Sequence, residues 1–319
     1  MSLYLVTGGA GFIGSHLVEA LLEEGHAVRV VDNLSTGNVA NLDGVRDRIE
    51  LMIGDLSDPG VARESMRGVE VVFHQAALAS VPRSVADPMA THQACVTGTL
   101  NVLIAARDAR VRRVVYAASS SAYGASERLP KRETDPTLPL SPYAVAKLAG
   151  EQYCAAFSNV YGLETVRLRY FNVFGPRQSP DSPYAAVIPR FLEAMMAGRR
   201  PHIHGDGQQS RDFSFIGDVI QANLRAAETP GVSGRVYNVA CGRRTSLLDL
   251  VEKMNALLGT DIEPIHEAPR PGDVRHSQAD IGRAQAELGY EPQWDVDRGL
   301  MRCWEWFQSR SGRRLAVAV

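Results

Sequence analysis

The chain has 319 residues, 45% of them hydrophobic and 22% charged. A chain this long buries about 75% of the surface its unfolded form exposes, so its core needs no metal or disulfide staple, and fibrous, collagenous and wholly disordered classes are excluded. Thirty-four basic against 36 acidic residues leave a net charge of −2, which argues against a polyanion-binding surface and against nucleic acid as a partner.

The four cysteines, Cys95, Cys154, Cys241 and Cys303, are far apart with no CxxC pair. That spacing fits neither a zinc ribbon nor a secreted disulfide framework, and predicts reduced thiols in a cytoplasmic protein. Residues 1–7 carry no basic region and only a four-residue apolar run, unlike a signal peptide. No stretch approaches the ~18 apolar residues of a membrane span, and the short apolar tail 315–319 reads as a frayed terminus.

Continuous apolar runs at 3–7, 28–31, 49–53, 69–73, 114–118 and 165–168 predict strands buried on both faces. Segments of helical period lie between them at 12–22, 89–106 and 143–157. Strand alternating with helix predicts an α/β fold, a Rossmann-type doubly wound parallel sheet. From about Tyr170 the texture changes: Pro176, Pro180, Pro183, Pro189 and Pro201 break the chain, and amphipathic helices return at 185–196, 218–227, 247–258 and 296–307. This predicts a smaller mixed α/β C-terminal lobe built from separate stretches. The expected division is 1–172 plus about 215–240 for a dinucleotide-binding domain, and about 173–214 plus 241–319 for a substrate domain.

The first strand runs into Thr7-Gly8-Gly9-Ala10-Gly11-Phe12-Ile13-Gly14, which opens the first helix. Glycines let the backbone turn tightly and approach a pyrophosphate, whose charge then meets the helix N-terminal amides. The spacing is GxxGxxG, weak evidence alone. Context strengthens it, because the second strand ends in Asp32-Asn33, and Asp32 lies 18 residues beyond Gly14, where a carboxylate accepts both adenosine ribose hydroxyls. Asp32 would repel a 2′-phosphate, so NAD is expected rather than NADP. Asp55 after the third strand would cap the adenine amine, and Ala76-Ala77 after the fourth would pass under the cofactor.

The fifth strand ends in Ala118-Ser119-Ser120-Ser121-Ala122-Tyr123-Gly124, and Tyr143-Ala144-Val145-Ala146-Lys147 opens the next helix. Tyr143 and Lys147 lie one turn apart on one face. A free phenol titrates near 10, and an adjacent ammonium would lower that value towards a working base. A serine at the same rim would share a proton with the substrate oxygen. A surface tyrosine and lysine on a helix is the plain alternative for YxxxK; the serine run at the same rim weighs against it.

With TGGAGFIG, VDN, HQAA, SPYAVAK and RYFNVFGPR in order over essentially the whole chain, the sequence resembles the extended short-chain dehydrogenase/reductase family, in its nucleotide-sugar epimerase branch. The resemblance implies Ser119, Tyr143 and Lys147 as the catalytic set. It implies a cofactor site of Gly8, Gly11, Phe12, Ile13, Asp32, Asn33, Ser35, Thr36, Gly37, Asp55, Leu56, Gln75, Ala76, Ala77 and Tyr170 together with Tyr143 and Lys147. For a UDP-sugar it implies Ser80, Ser119, Ser120, Asn172, Gln178, Ala186, Val187, His202, His204, Arg211, Arg270, Asp273 and Ser277. Within that set Asn172, Arg211 and Arg270 would hold the diphosphate, a task suited to planar guanidinium groups. Arg211 could alternatively pair with Asp212. His202 and His204 alternate on a strand as metal ligands can, but no third ligand is evident, so no metal is expected.

Family dehydratases carry an Asp-Glu pair where this chain has Ser120 and Ser121, so elimination is disfavoured. The implied reaction is NAD-dependent 4-epimerisation of a UDP-hexose through a 4-keto sugar. Ser277 stands at the position that gates the C2 substituent, and its small size resembles enzymes that take N-acetylhexosamines, so UDP-GlcNAc/UDP-GalNAc is expected with UDP-glucose/UDP-galactose also accepted. The alternatives are a UDP-glucuronate 4-epimerase, with Arg177 or Arg83 on the C6 carboxylate, and a silent NAD-binding regulator. Cys95 replaces the asparagine usual in the NVxGT motif. The family also suggests a homodimer through the helices at 89–106 and 143–157.

Overall fold

The computed structural model describes residues 2–124, 126–180, 186–269 and 274–316, with side chains of the last helix to Ser309. Its first half alternates β1 (Leu3–Thr7), α1 (Phe12–Glu23), β2 (Ala27–Asp32), β3 (Ile49–Ile53), α2 (Pro59–Ser65), β4 (Val69–His74), α3 (Val81–Ala86), α4 (Pro88–His92), α5 (Gly98–Asp108), β5 (Arg113–Ser119), α6 (Pro142–Tyr161) and β6 (Glu164–Tyr170). There follow β7 (Val173–Phe174), α7 (Val187–Met196), β8 (His202–His204), β9 (Ser210–Arg211), β10 (Ser214–Phe215), α8 (Ile216–Glu228), β11 (Arg235–Val239), β12 (Thr245–Ser246), α9 (Leu247–Leu258), β13 (Ile265–Glu267), α10 (Gly282–Leu288) and α11 (Val296–Ala316).

The main sheet has seven parallel strands in the order β11-β6-β5-β4-β1-β2-β3. Along each strand alternate residues go to opposite faces, which is why the apolar runs are continuous. In β1, Tyr4 and Val6 join the core shared with Leu17 of α1 and Val219 of α8. Leu5 joins the other core, with Ala62 of α2, Leu103 of α5 and Phe157 of α6. The strand order reverses between β1 and β4, and this switch point opens a crevice at the carboxyl ends of the strands. The doubly wound parallel sheet expected from the sequence is the one that forms.

The helix expected at 89–106 is interrupted. Between α4 and α5 the segment Gln93–Thr97 is a π turn, in which the Gly98 amide reaches back to the Gln93 carbonyl. A single wider turn is too short to change the apolar period of the surrounding helix visibly, so sequence pattern does not register it. The C-terminal lobe is built from two-stranded pairs, β7 with β10, β9 with β12 and β8 with β13, against α7, α9, α10 and α11. The first residue of the helix expected at 185–196 lies outside the described residues, and α7 starts at Val187. Among the described residues no helix is long and apolar enough to cross a membrane.

Candidate active site

A cavity of about 610 Å³ opens over the switch point, and each residue expected for the cofactor, from Gly8 to Tyr170, lines it. Gly8 has φ +66°, and a Cβ on Gly14 would stand 2.2 Å from the Gly8 carbonyl oxygen, so only glycines allow the loop to fold this tightly. No side chain caps α1 at Gly11, and Gly11, Phe12 and Ile13 line the cavity, an arrangement suited to an anionic diphosphate. Asp32, at the end of β2, accepts the Ala10 amide at 3.0 Å and the Leu34 amide at 2.8 Å. Burial raises its pKa and the two amides oppose the rise. Gly37 crosses above it, where a Cβ would come within 2.8 Å of a carboxylate oxygen. Asn33 donates to Asp55 at 2.8 Å. A glycine cradle, an uncapped helix start and a carboxylate at the second strand fit a dinucleotide such as NAD.

Ser119 ends β5 beside Tyr170 of β6. Its Oγ accepts the Ser121 amide at 3.2 Å and the Ser121 hydroxyl at 2.8 Å. Tyr143 sits in the first turn of α6, started by Pro142 and by Ser141, whose Oγ accepts the Ala144 amide. Ser119 lies close enough to the phenol to oppose the rise in its pKa. Neither Ser119 nor Ser120 is a wall residue of the cavity, while Ser80 and the alternative carboxylate partner Arg83 are.

The expectation that Lys147 lowers the Tyr143 pKa needs correction. Burial pushes the phenol up to about 12, and the opposing pull comes from Ser119. The Lys147 ammonium lies instead over the ring of Tyr116, 4.7 Å from its centroid, and burial lowers its own pKa.

Sequence reasoning missed a buried relay at the cavity floor. The Ala76 amide donates to Thr7 Oγ1 at 3.2 Å, Thr7 Oγ1 meets His74 Nδ1 at 2.8 Å, and His74 Nε2 meets Thr99 Oγ1 at 2.9 Å. Thr99 Oγ1 donates to the Cys95 carbonyl at 2.7 Å, inside the π turn. Because Thr99 spends its proton there, it accepts from His74 Nε2, and His74 Nδ1 in turn accepts from Thr7. His74 is therefore neutral, and burial followed by the nearby Lys147 charge holds its pKa down at about 3. The signal was the histidine of HQAA, which directly precedes the residues under the cofactor. Also missed was Arg169, whose fork meets Glu151 at 2.6 and 2.9 Å, both side chains buried, tying β6 to α6.

A second cavity of about 260 Å³ adjoins the first through Gln178 and Ala186, and is lined also by Asn172, Val187, His202, His204 and Arg211. Asn172, at φ +35°, donates to the Asp212 carbonyl at 3.0 Å and lies 3.5 Å from the Ser277 hydroxyl. Arg211 donates to the Ser210 and Arg275 carbonyls at 3.1 Å each, while the Asp212 carboxylate turns inward to the Cys241 and Ala279 amides. His202 and His204 each direct Nδ1 at Glu267, at 2.6 and 3.2 Å. Arg177, the other alternative carboxylate partner, is paired with Glu19. Arg270 and Asp273 lie outside the described residues.

Residues 4–240 match the model of the NAD dependent epimerase/dehydratase family. The UDP-glucose 4-epimerase of Mycolicibacterium smegmatis is 41% identical over 96% of this chain and 99% of its own length. The solved UDP-N-acetylglucosamine 4-epimerase from Methanobrevibacter ruminantium M1, in complex with UDP-N-acetylmuramic acid, is 40% identical with a TM-score of 0.93, covering 97% of this chain and 99% of that one. The UDP-glucuronic acid 4-epimerase from Bacillus cereus, in complex with UDP-glucuronic acid and NAD, is 29% identical with a TM-score of 0.89 over the same shares.

Proposed function

The chain belongs to the NAD-dependent epimerase/dehydratase family, and from that premise we propose that it is a UDP-sugar 4-epimerase acting by transient oxidation at C4. The observation that carries the proposal is that Tyr143 and Lys147 line the same cavity as the dinucleotide cradle, with Ser119 close to the phenol and a second cavity of about 260 Å³ adjoining. Residues 1–172 with about 215–240 then form the cofactor domain, and the remainder holds the UDP-sugar.

When bound, NAD supplies the acceptor and donor of the C4 hydride. Ser119 orients the sugar O4, and Tyr143 takes its proton as the carbinol becomes a ketone and returns one as the ketone is reduced from the opposite face. Lys147 keeps positive charge near the phenolate, in a wall that excludes water. Burial pushes the resting phenol up to about 12, and the positive nicotinamide ring would supply charge that helps it act as a base. Asn172, Arg211 and Arg270 hold the diphosphate while the 4-keto sugar turns over between them. Ser120 and Ser121 supply no acid and base for elimination, which favours simple epimerisation.

Among sugars we favour UDP-GlcNAc/UDP-GalNAc with UDP-glucose/UDP-galactose accepted, supported by the small side chain of Ser277, 3.5 Å from the amide of Asn172, which lines the second cavity. Of the two arginines that could meet a C6 carboxylate, Arg177 is paired with Glu19 while Arg83 lines the first cavity, so UDP-glucuronate is the alternative substrate. Exposed Met89 of α4, with Val145 and Tyr153 of α6, suits the homodimer contact expected of paired helices. Incubating the purified protein separately with UDP-GlcNAc, UDP-glucose and UDP-glucuronate and separating the 4-epimers tests the assignment. Turnover of the first two supports it; turnover of glucuronate alone selects the other sugar, and turnover of none supports a silent binding protein.

A further inference from the structure

Lys147 is 4% exposed, and among the described residues its ammonium has no carboxylate partner. Glu151, one helical turn on, is committed to Arg169. A buried cation without a counter-charge is costly, and it would shed its proton or swing out unless something replaces the lost hydration.

What faces it is Tyr116, fully buried in β5. The ring centroid lies 4.7 Å from Nζ, and the Tyr116 hydroxyl donates to the Lys147 backbone carbonyl at 3.2 Å. One side chain thus holds the lysine at both ends. Gly150 makes this fit possible, since a Cβ there would stand 2.3 Å from Tyr116 Oη and 2.8 Å from Cζ. The other ionisable groups that face the pair are His74, Tyr143, Cys95 and Cys154. His74 of β4 is neutral, its ring 5.8 Å from that of Tyr116, and the phenol of Tyr143 is protonated. Cys95 in the π turn and Cys154 of α6 also face Lys147, and burial raises the Cys154 thiol to about 12, with Arg167 of β6 beside it.

We propose that Tyr116 is the positioning residue of Lys147, its ring face replacing a counter-ion for the ammonium and its hydroxyl anchoring the backbone beneath it. The proposal rests on Lys147 acting in proton transfer, as argued above. A desolvated cation over an aromatic face is stabilised enough that removing the ring lowers the lysine titration by about one pH unit.

The chain has only three lysines, Lys131, Lys147 and Lys253, so protein labelled with 13C at lysine Cε gives three signals, and Lys147→Met assigns the one of interest. The Lys147 titration midpoint falls by about one pH unit in Tyr116→Leu and by no more than a few tenths in Tyr116→Phe, which keeps the ring. The alkaline limb of turnover with UDP-glucose moves in parallel. Because Tyr116→Leu can disturb packing, replacing Tyr116 by 3,4,5-trifluorophenylalanine fills the same space while withdrawing electrons from the ring face, and it shifts the midpoint as leucine does. An unmoved midpoint in the leucine or fluorinated variant, or a phenylalanine variant shifted as far as leucine, overturns the proposal. Full turnover by Lys147→Met would instead refute the role of Lys147 and leave the titration result standing.

Discussion

Thr7 and His74, at the carboxyl ends of neighbouring strands β1 and β4, join side chains at 2.8 Å and lock the start of the glycine loop to the strand that carries Ala76 beneath the cofactor cavity. The imidazole works only as a neutral group, because one nitrogen accepts from Thr7 while the other donates to Thr99.

That neutrality makes stability depend on acid. An unfolded histidine takes a proton below about 6.5, whereas folded His74 resists it down to about 3. Between those values the unfolded state binds more protons, so falling pH costs about 1.4 kcal/mol of stability per unit. His74→Gln lacks this dependence. Denaturant unfolding from pH 7 to 4 shows the variant less stable at neutrality, with the gap to the parent narrowing as pH falls; a constant gap would mean that folded His74 takes up its proton as readily as the unfolded chain does.

Tyr143→Phe removes the proton carrier and leaves the cradle intact. Turnover falls by about 10²–10⁴, while NAD content and UDP affinity, measured by absorbance and calorimetry, stay close to the parent. Equal turnover would take the phenol out of the mechanism.

Ser277→Tyr places a ring beside Asn172, whose amide stands 3.5 Å from the serine hydroxyl. Turnover of UDP-GlcNAc drops more than that of UDP-glucose, read as the ratio of kcat/KM values. An unchanged ratio would remove Ser277 as the gate for the C2 substituent.

Arg169→Met strands the buried Glu151 carboxylate on the inner face of α6 and costs about 3–5 kcal/mol in denaturant unfolding. Arg169→Met/Glu151→Leu recovers most of that loss. A single variant as stable as the parent would show that water reaches Glu151.

The strands were legible because burial on both faces demands unbroken apolar runs, and α9 was legible to the residue because Ser246 and Asp249 form a capping box and Gly259 closes the helix at φ +65°. The cavity wall was legible because its residues sit at the ends of successive strands. Two-residue strands such as β7, β9 and β12 are too short to show a period, so sequence pattern does not register them. The turn of Lys147 towards Tyr116, 31 positions away, and the rise of the Tyr143 pKa on burial depend on which atoms the fold brings together. Spacing along the chain does not carry that information.

The most direct measurement of the central claim follows deuterium placed at C4 of UDP-glucose through conversion to its 4-epimer in ordinary water. A hydride that leaves C4 for the nicotinamide and returns to the same carbon does not exchange with solvent, so mass spectrometry finds the product still deuterated at C4. Product that carries protium there would contradict oxidation and reduction at a single carbinol.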